Sequence, residues 1–133
     1  MDNRNVFIEE FRGAALGTVD GSTSSEEMFQ NRTLRPILKL QNDLLIEVFK
    51  NYISKYKGDF HSYSAEKKMQ YIDNSIQKDI KFRNSLKGIV IGLFTIGEYK
   101  EYINNSSNLN KRMMNMVIER LKSQVQLFEA DLI

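Results

Sequence analysis

The chain has 133 residues, of which 41% are apolar and 27% charged, with a net charge of +2, no Cys, no Trp and one His. That length suits one domain with one sizeable core. The missing cysteines exclude a disulfide framework, a thiolate nucleophile and a cysteine metal site, and they fit a reducing compartment.

The longest apolar run, residues 88–94 (GIVIGLF), has seven residues, against ~20 for a membrane-spanning helix. The opening MDNRN lacks the basic-then-apolar order of a signal peptide. No membrane association is expected, and the cytoplasm is the expected compartment. The abundance of Asn, Lys and Ile hints at an AT-rich bacterial genome.

The charge is unevenly spread. Residues 1–32 carry three Arg (Arg4, Arg12, Arg32) against six acids, a balance of −3, and the remainder carries +5. An acidic arm (1–32) on a basic helical domain (33–133) is the expected organisation.

In chain order, Val6, Phe7, Phe11 and Leu16 suit a short amphipathic helix. The i, i+4 spacing of Phe7 and Phe11 puts both rings on one face, and these rings are expected to dock the arm. Residues 13–25 (GAALGTVDGSTSS) read as a loop. Ser24 or Ser25, followed by Glu26 and Glu27, reads as a helix start. Thr33 is the expected cap of the first long helix, with Pro36 tolerated in its first turn. Leu34, Leu38, Leu45, Val48, Phe49, Tyr52 and Tyr56 form its stripe, and Gly58 is its expected stop.

A second helical pattern starts after Ser64 and runs through Met69, Ile72, Ile76 and Ile80. Its apolar phase then shifts to Phe82, Leu86, Ile89, Val90 and Leu93. Either the helix breaks near Lys78–Lys81 or one helix is buried on two faces, and the break is the preferred reading. Gly88 and Gly92 suit a close backbone approach there. A strand over 88–94 is the rival, given its β-branched run. Thr95-Ile96-Gly97-Glu98 has the order of a capping box. Leu109, Met113, Val117, Leu121, Val125 and Phe128 form the last stripe, wide enough to face apolar neighbours from more than one side. The fold class is therefore all-α, a bundle of four or five helices with an N-terminal arm.

The catalytic inventory is thin. His61 stands alone in KGDFHSYS, and the sequence holds no HExxH, no ExxH, no calcium-loop run and no phosphate loop. No catalytic residue, metal ligand or cofactor is expected. Two basic groupings stand out as a candidate binding patch. The first comprises Lys78, Asp79, Lys81, Arg83, Asn84 and Lys87, with Asp79 and Arg83 spaced as an i, i+4 ion pair and Arg83 able to grip an anion with two donors. The second is Lys111 and Arg112, expected in the first turn of the last helix, where cations oppose the helix dipole unless they meet an acid or an anion. The plainer reading of the first grouping is a solvated face with one weak ion pair, and the second, by that mismatch, is the better hint of a binding surface.

The segments TLRPILKLQNDL (33–44), QKDIKFRNSLKG (77–88) and NKRMMNMVIERLKSQ (110–124) resemble a family of short helical bacterial proteins often labelled glyoxalase. The resemblance covers residues 30–128. The label implies a metal-dependent lyase of βαβββ architecture with His and Glu ligands, for which the chain offers only His61 with Asp59, Glu47 or Glu66. No functional residue is carried over from it. The leading expectation is a non-catalytic helical protein that binds another protein or itself. Binding of nucleic acid or another polyanion through the basic patch is the alternative, and the glyoxalase-type lyase is a third.

Overall fold

The computed structural model describes residues 2–17, 24–55 and 59–128. The expected stop at Gly58 and the stripe residue Tyr56 lie outside them. All regular structure among the described residues is helical, in six rods: α1 (Asp2–Arg12), a long compound rod, α4 (Ala65–Lys78), α5 (Ile80–Ile91), α6 (Ile96–Ile103) and α7 (Ser106–Ser123). The compound rod joins α2 (Ser25–Phe29), a π-helical turn (Gln30–Leu34) and α3 (Arg35–Lys55) without a break. The count exceeds the four or five expected, because the arm adds a helix of its own, and the phase shift is the break that was preferred. No strand forms at 88–94, and the βαβββ arrangement implied by the glyoxalase label is not what these residues build. Among the described residues, no helix is long and apolar enough to cross a membrane.

The compound rod starts as expected. Ser24 caps α2, its hydroxyl accepting from Glu27 N–H at 3.2 Å, with Glu26 and Glu27 at the positive end of the dipole. Thr33, however, is no cap. It lies inside the π turn, so the rod runs unbroken across the expected boundary at 32/33. The cause is Pro36, which has no N–H and whose ring crowds the carbonyl one turn back, so regular α register cannot be kept across it. The chain widens instead, and Arg35 N–H reaches back five residues to the Gln30 carbonyl.

The break at residue 79 is built by a single aspartate. Asp79 N–H closes α4 on the Ser75 carbonyl, and its carboxylate then accepts from Phe82 N–H at 3.2 Å to open α5. At its other end α5 stops at Ile91. Gly88 has no close-packed neighbour there: a Cβ added to it would meet nothing within 4 Å, so the expected close backbone approach is absent. The capping box at Thr95 is present in full, with Glu98 N–H on the Thr95 hydroxyl and Thr95 N–H on the Glu98 carboxylate.

The core lies where the rods cross. Leu34, Ile37, Leu38, Leu45 and Phe49 of the compound rod meet Ile72 and Ile76, Leu86 and Val90, and Met113, Val117 and Leu121, all fully or nearly fully buried. The last stripe is consumed by this core. Its final residues lie past the end of α7, in a 3-10 turn (Val125–Phe128) that returns Phe128 to within 5.0 Å of the Phe49 ring. Lys122 of α7 donates to Asp73 of α4 at 2.7 Å, tying the two packed helices at their edge.

Candidate functional site

The arm is docked, but not by its phenylalanines. Phe7 and Phe11 are 65% and 56% exposed and stack on each other with ring centroids 5.9 Å apart. The face that meets the body is the next one round α1, made of Arg4, Asn5, Ile8 and Arg12. Ile8 is buried. Asn5 accepts from Ile96 N–H at 3.1 Å. Arg4 donates to the carbonyls of Phe94 at 2.7 Å and Gly92 at 3.1 Å. Although residues 1–32 are net negative, α1 itself is held by its cations Arg4 and Arg12.

Arg12 reaches deepest, its side chain only 4% exposed. It grips both oxygens of Glu98, at 2.8 Å to Oε2 and in a short contact to Oε1. It also donates to the carbonyls of Leu93 at 3.2 Å and Arg32 at 3.3 Å. Thr33, buried in the π turn, donates its hydroxyl to Glu98 Oε2 at 2.7 Å. Burial alone would push the Glu98 carboxyl up. Arg12, the Thr95 N–H and the Thr33 hydroxyl more than reverse that and hold it below the ordinary glutamate range.

The π turn and the arm complete each other. A residue at position 36 with an N–H would serve the carbonyl of Asn31 or Arg32. Because it is proline, these carbonyls accept from the arm instead, Asn31 from Leu16 N–H at 2.8 Å and Arg32 from Arg12. Deleting residues 1–12 is expected to cost about 1–3 kcal/mol, chiefly the burial of Ile8, since water then reaches the uncovered acceptors and solvates them. Urea unfolding of the truncated chain measures this, and an unchanged midpoint would make the arm an idle tail.

The two basic groupings are not one patch. Arg112 donates to Gln30 at 2.8 Å and pairs with Glu26 at 3.4 Å. Because α7 already begins at Ser106, Lys111 and Arg112 lie in its second turn rather than its first, and the expected conflict with the dipole falls away. Lys111 beside it is exposed. Asp79, in the other grouping, accepts from the Tyr52 hydroxyl at 2.9 Å. Gln30 and Tyr52 stand 22 positions apart on the same rod, about 33 Å at 1.5 Å per residue. The expected Asp79–Arg83 ion pair is also absent. Asp79 is a cap rather than a helical residue, and its carboxylate is turned to Phe82 and Tyr52. Around it Lys78, Lys81 and Asn84 are exposed, and Arg83 and Lys87 are half-buried.

Sequence reasoning flagged Lys81 but missed the groove beside it, where Asn51, Tyr52 and Lys55 of α3 face Lys81, Phe82 and Ser85 of α5. The signal was present as two i, i+4 pairs, Asn51/Lys55 and Lys81/Ser85, on helices whose meeting only the fold decides.

His61 is exposed in the 3-10 turn (Phe60–Ser62), its ring edge-on to Phe60. Among the described residues, no three of His, Asp and Glu come together as metal ligands would. In comparisons with family models, curated proteins and solved structures, nothing matches the chain.

Proposed function

We propose that the protein is a non-catalytic interaction module that pairs with a second copy of itself through the outer flank of α1. The observation that carries this reading is the exposed pair Phe7 and Phe11 on a helix whose docking is already achieved by Arg4, Asn5, Ile8 and Arg12. The monomer has no use for those rings. Val6 is also exposed, as are Leu40 and Leu44 on α3, against which α1 packs. Apolar residues gathered in this way mark an interface more often than chance.

A second copy fits because the same region offers both a protrusion and a hollow. A recess of about 490 Å³ lies between the end of the arm and α3, with Leu16, Pro36 and Leu40 among its lining. Rings from one copy entering the recess of the other, and the reverse, make a two-fold interface that closes on itself. Charge supports this pairing, since Glu10 neighbours the rings and Lys39 rims the recess.

Sedimentation equilibrium is expected to show a reversible dimer, and the double variant Phe7→Ser/Phe11→Ser a monomer. Because both side chains are exposed in the single chain, the variant should unfold within about 0.5 kcal/mol of a wild type measured below its dimerisation range. A wild type that stays monomeric up to about 100 µM overturns the reading.

A further inference from the structure

The groove between the last turns of α3 and the first turns of α5 lies outside the self-pairing face, and its chemistry points to a ligand. It encloses about 240 Å³. Its floor is the stacked pair Tyr52 and Phe82, with ring centroids 3.9 Å apart. Its rim carries Lys55, Lys81 and the Asn51 side chain, with Ser85 beside them giving its hydroxyl proton to the Lys81 carbonyl at 3.1 Å. Among the described residues, neither lysine has a carboxylate within ion-pair distance and no acid lines the groove. Asp79, which touches the floor residue Tyr52, is occupied by the Phe82 N–H and the Tyr52 hydroxyl.

These facts make the rim a convergence of donors. Among the described residues the Asn51 side-chain amide makes no hydrogen bond, and neither ammonium group is paired with an acid. The Tyr52 phenol is pushed up to about 12, first by burial and then by its hydrogen bond to Asp79 and that group's charge, so it stays neutral and adds no repelling charge. A solvated lysine face needs neither a recess nor an aromatic floor, and this one has both. We infer that the groove binds a small organic anion: a flat apolar body resting on Tyr52 and Phe82, with a phosphate or carboxylate held by Lys55, Lys81 and Asn51.

The spacing supports the assignment. Asn51 and Lys55 sit one turn apart on α3, Lys81 and Ser85 one turn apart on α5, so one anionic group between the helices meets donors from both. The helices diverge in sequence at residues 56–79, and the capping role of Asp79 sets where α5 begins and hence where Lys81 stands. A cation–anion contact at an open rim is screened by salt, so the complex should weaken as ionic strength rises.

Titration of the full chain with phenyl phosphate and with benzoate, followed by amide chemical shifts in NMR, separates the two anionic groups. At least one is expected to saturate below about 10 mM, with shifts centred on Asn51, Lys81, Phe82 and Ser85. Lys55→Gln/Lys81→Gln should raise Kd at least tenfold, and Lys78→Gln, off the groove, less than twofold. Inorganic phosphate should bind more weakly than phenyl phosphate because it leaves the aromatic floor unused. Shifts that never saturate, that centre on another part of the fold, or that survive the double lysine change overturn the assignment. Equal binding of inorganic and phenyl phosphate overturns the aromatic part of it. Dimerisation through Phe7 and Phe11 is read separately and does not depend on any of these outcomes.

Discussion

Glu98→Ala is expected to destabilise the protein by about 3–5 kcal/mol, the range for removing one partner of a buried ion pair. The carboxylate receives the Arg12 guanidinium, the Thr33 hydroxyl and the Thr95 N–H. Alanine at 98 leaves the Arg12 charge without its counter-ion and the Thr33 hydroxyl and Thr95 N–H without an acceptor, and it removes half of the capping box that starts α6. The change is harsher than deleting the arm, because the arm still covers the site and keeps water from the orphaned groups.

The pH dependence has a definite sign. The folded Glu98 carboxyl lies below its unfolded value, so its stabilisation is fully present above about pH 4.5 and is lost as pH falls through the folded value. Wild type should lose stability on acidification in that range, and Glu98→Gln should show a flatter profile from a lower starting point. Urea unfolding from pH 7 to pH 3 measures both. A wild type and a Glu98→Gln variant with parallel pH profiles would remove Glu98 from this role.

How far the fold was legible depended on how local each signal was. Thr95 and Glu98 announce a capping box within four residues, and Ser24 and Ser64 each cap the helix expected after them. The second role of Glu98 joins residues 86 and 65 positions away, and no window on the sequence contains it. Phe7 and Phe11 show the limit of periodicity. Their spacing places them on one face, but Arg4, Ile8 and Arg12 share another by the same rule, and burial chose the second. Hydrophobicity alone favoured the rings. What it lacked was the row of carbonyls at residues 92–94 and at the π turn that wanted guanidinium donors.

Asp79 and Arg83 were misread for a related reason. An i, i+4 ion pair presumes a helix running through both residues, and the break that the phase shift had already suggested turns Asp79 into a cap. Pro36 was placed correctly in a helix, but the widened turn before it depends on acceptors being met by Leu16 and Arg12. Half of the anion groove was legible in Lys81. Its other half, Asn51, Tyr52 and Lys55, sits on a stretch of the long helix that reads as core stripe and solvent face. The Tyr52–Phe82 stack that joins the halves is a tertiary contact.

Phe49→Ala is expected to cost about 3–5 kcal/mol, toward the upper end for an aromatic residue in a core. The side chain is fully buried, and its ring lies 5.0–6.3 Å from those of Tyr52, Phe60, Tyr71, Phe82 and Phe128. These neighbours come from α3, α4, α5 and the two 3-10 turns, and each is anchored by its own element. They cannot all move inward to fill the space, so the vacated volume persists as a cavity rather than collapsing. Phe49→Leu keeps most of the volume and should cost about 1–2 kcal/mol. Because Phe82 and Tyr52 lose the ring that backs them, the alanine variant should also loosen the floor of the anion groove and weaken phenyl phosphate more than the leucine variant does. Urea titrations of the three proteins, with equal m-values as the check on two-state behaviour, give the energies. A loss below about 1 kcal/mol for Phe49→Ala would mean that the aromatic cluster repacks freely and is not the keystone of the bundle.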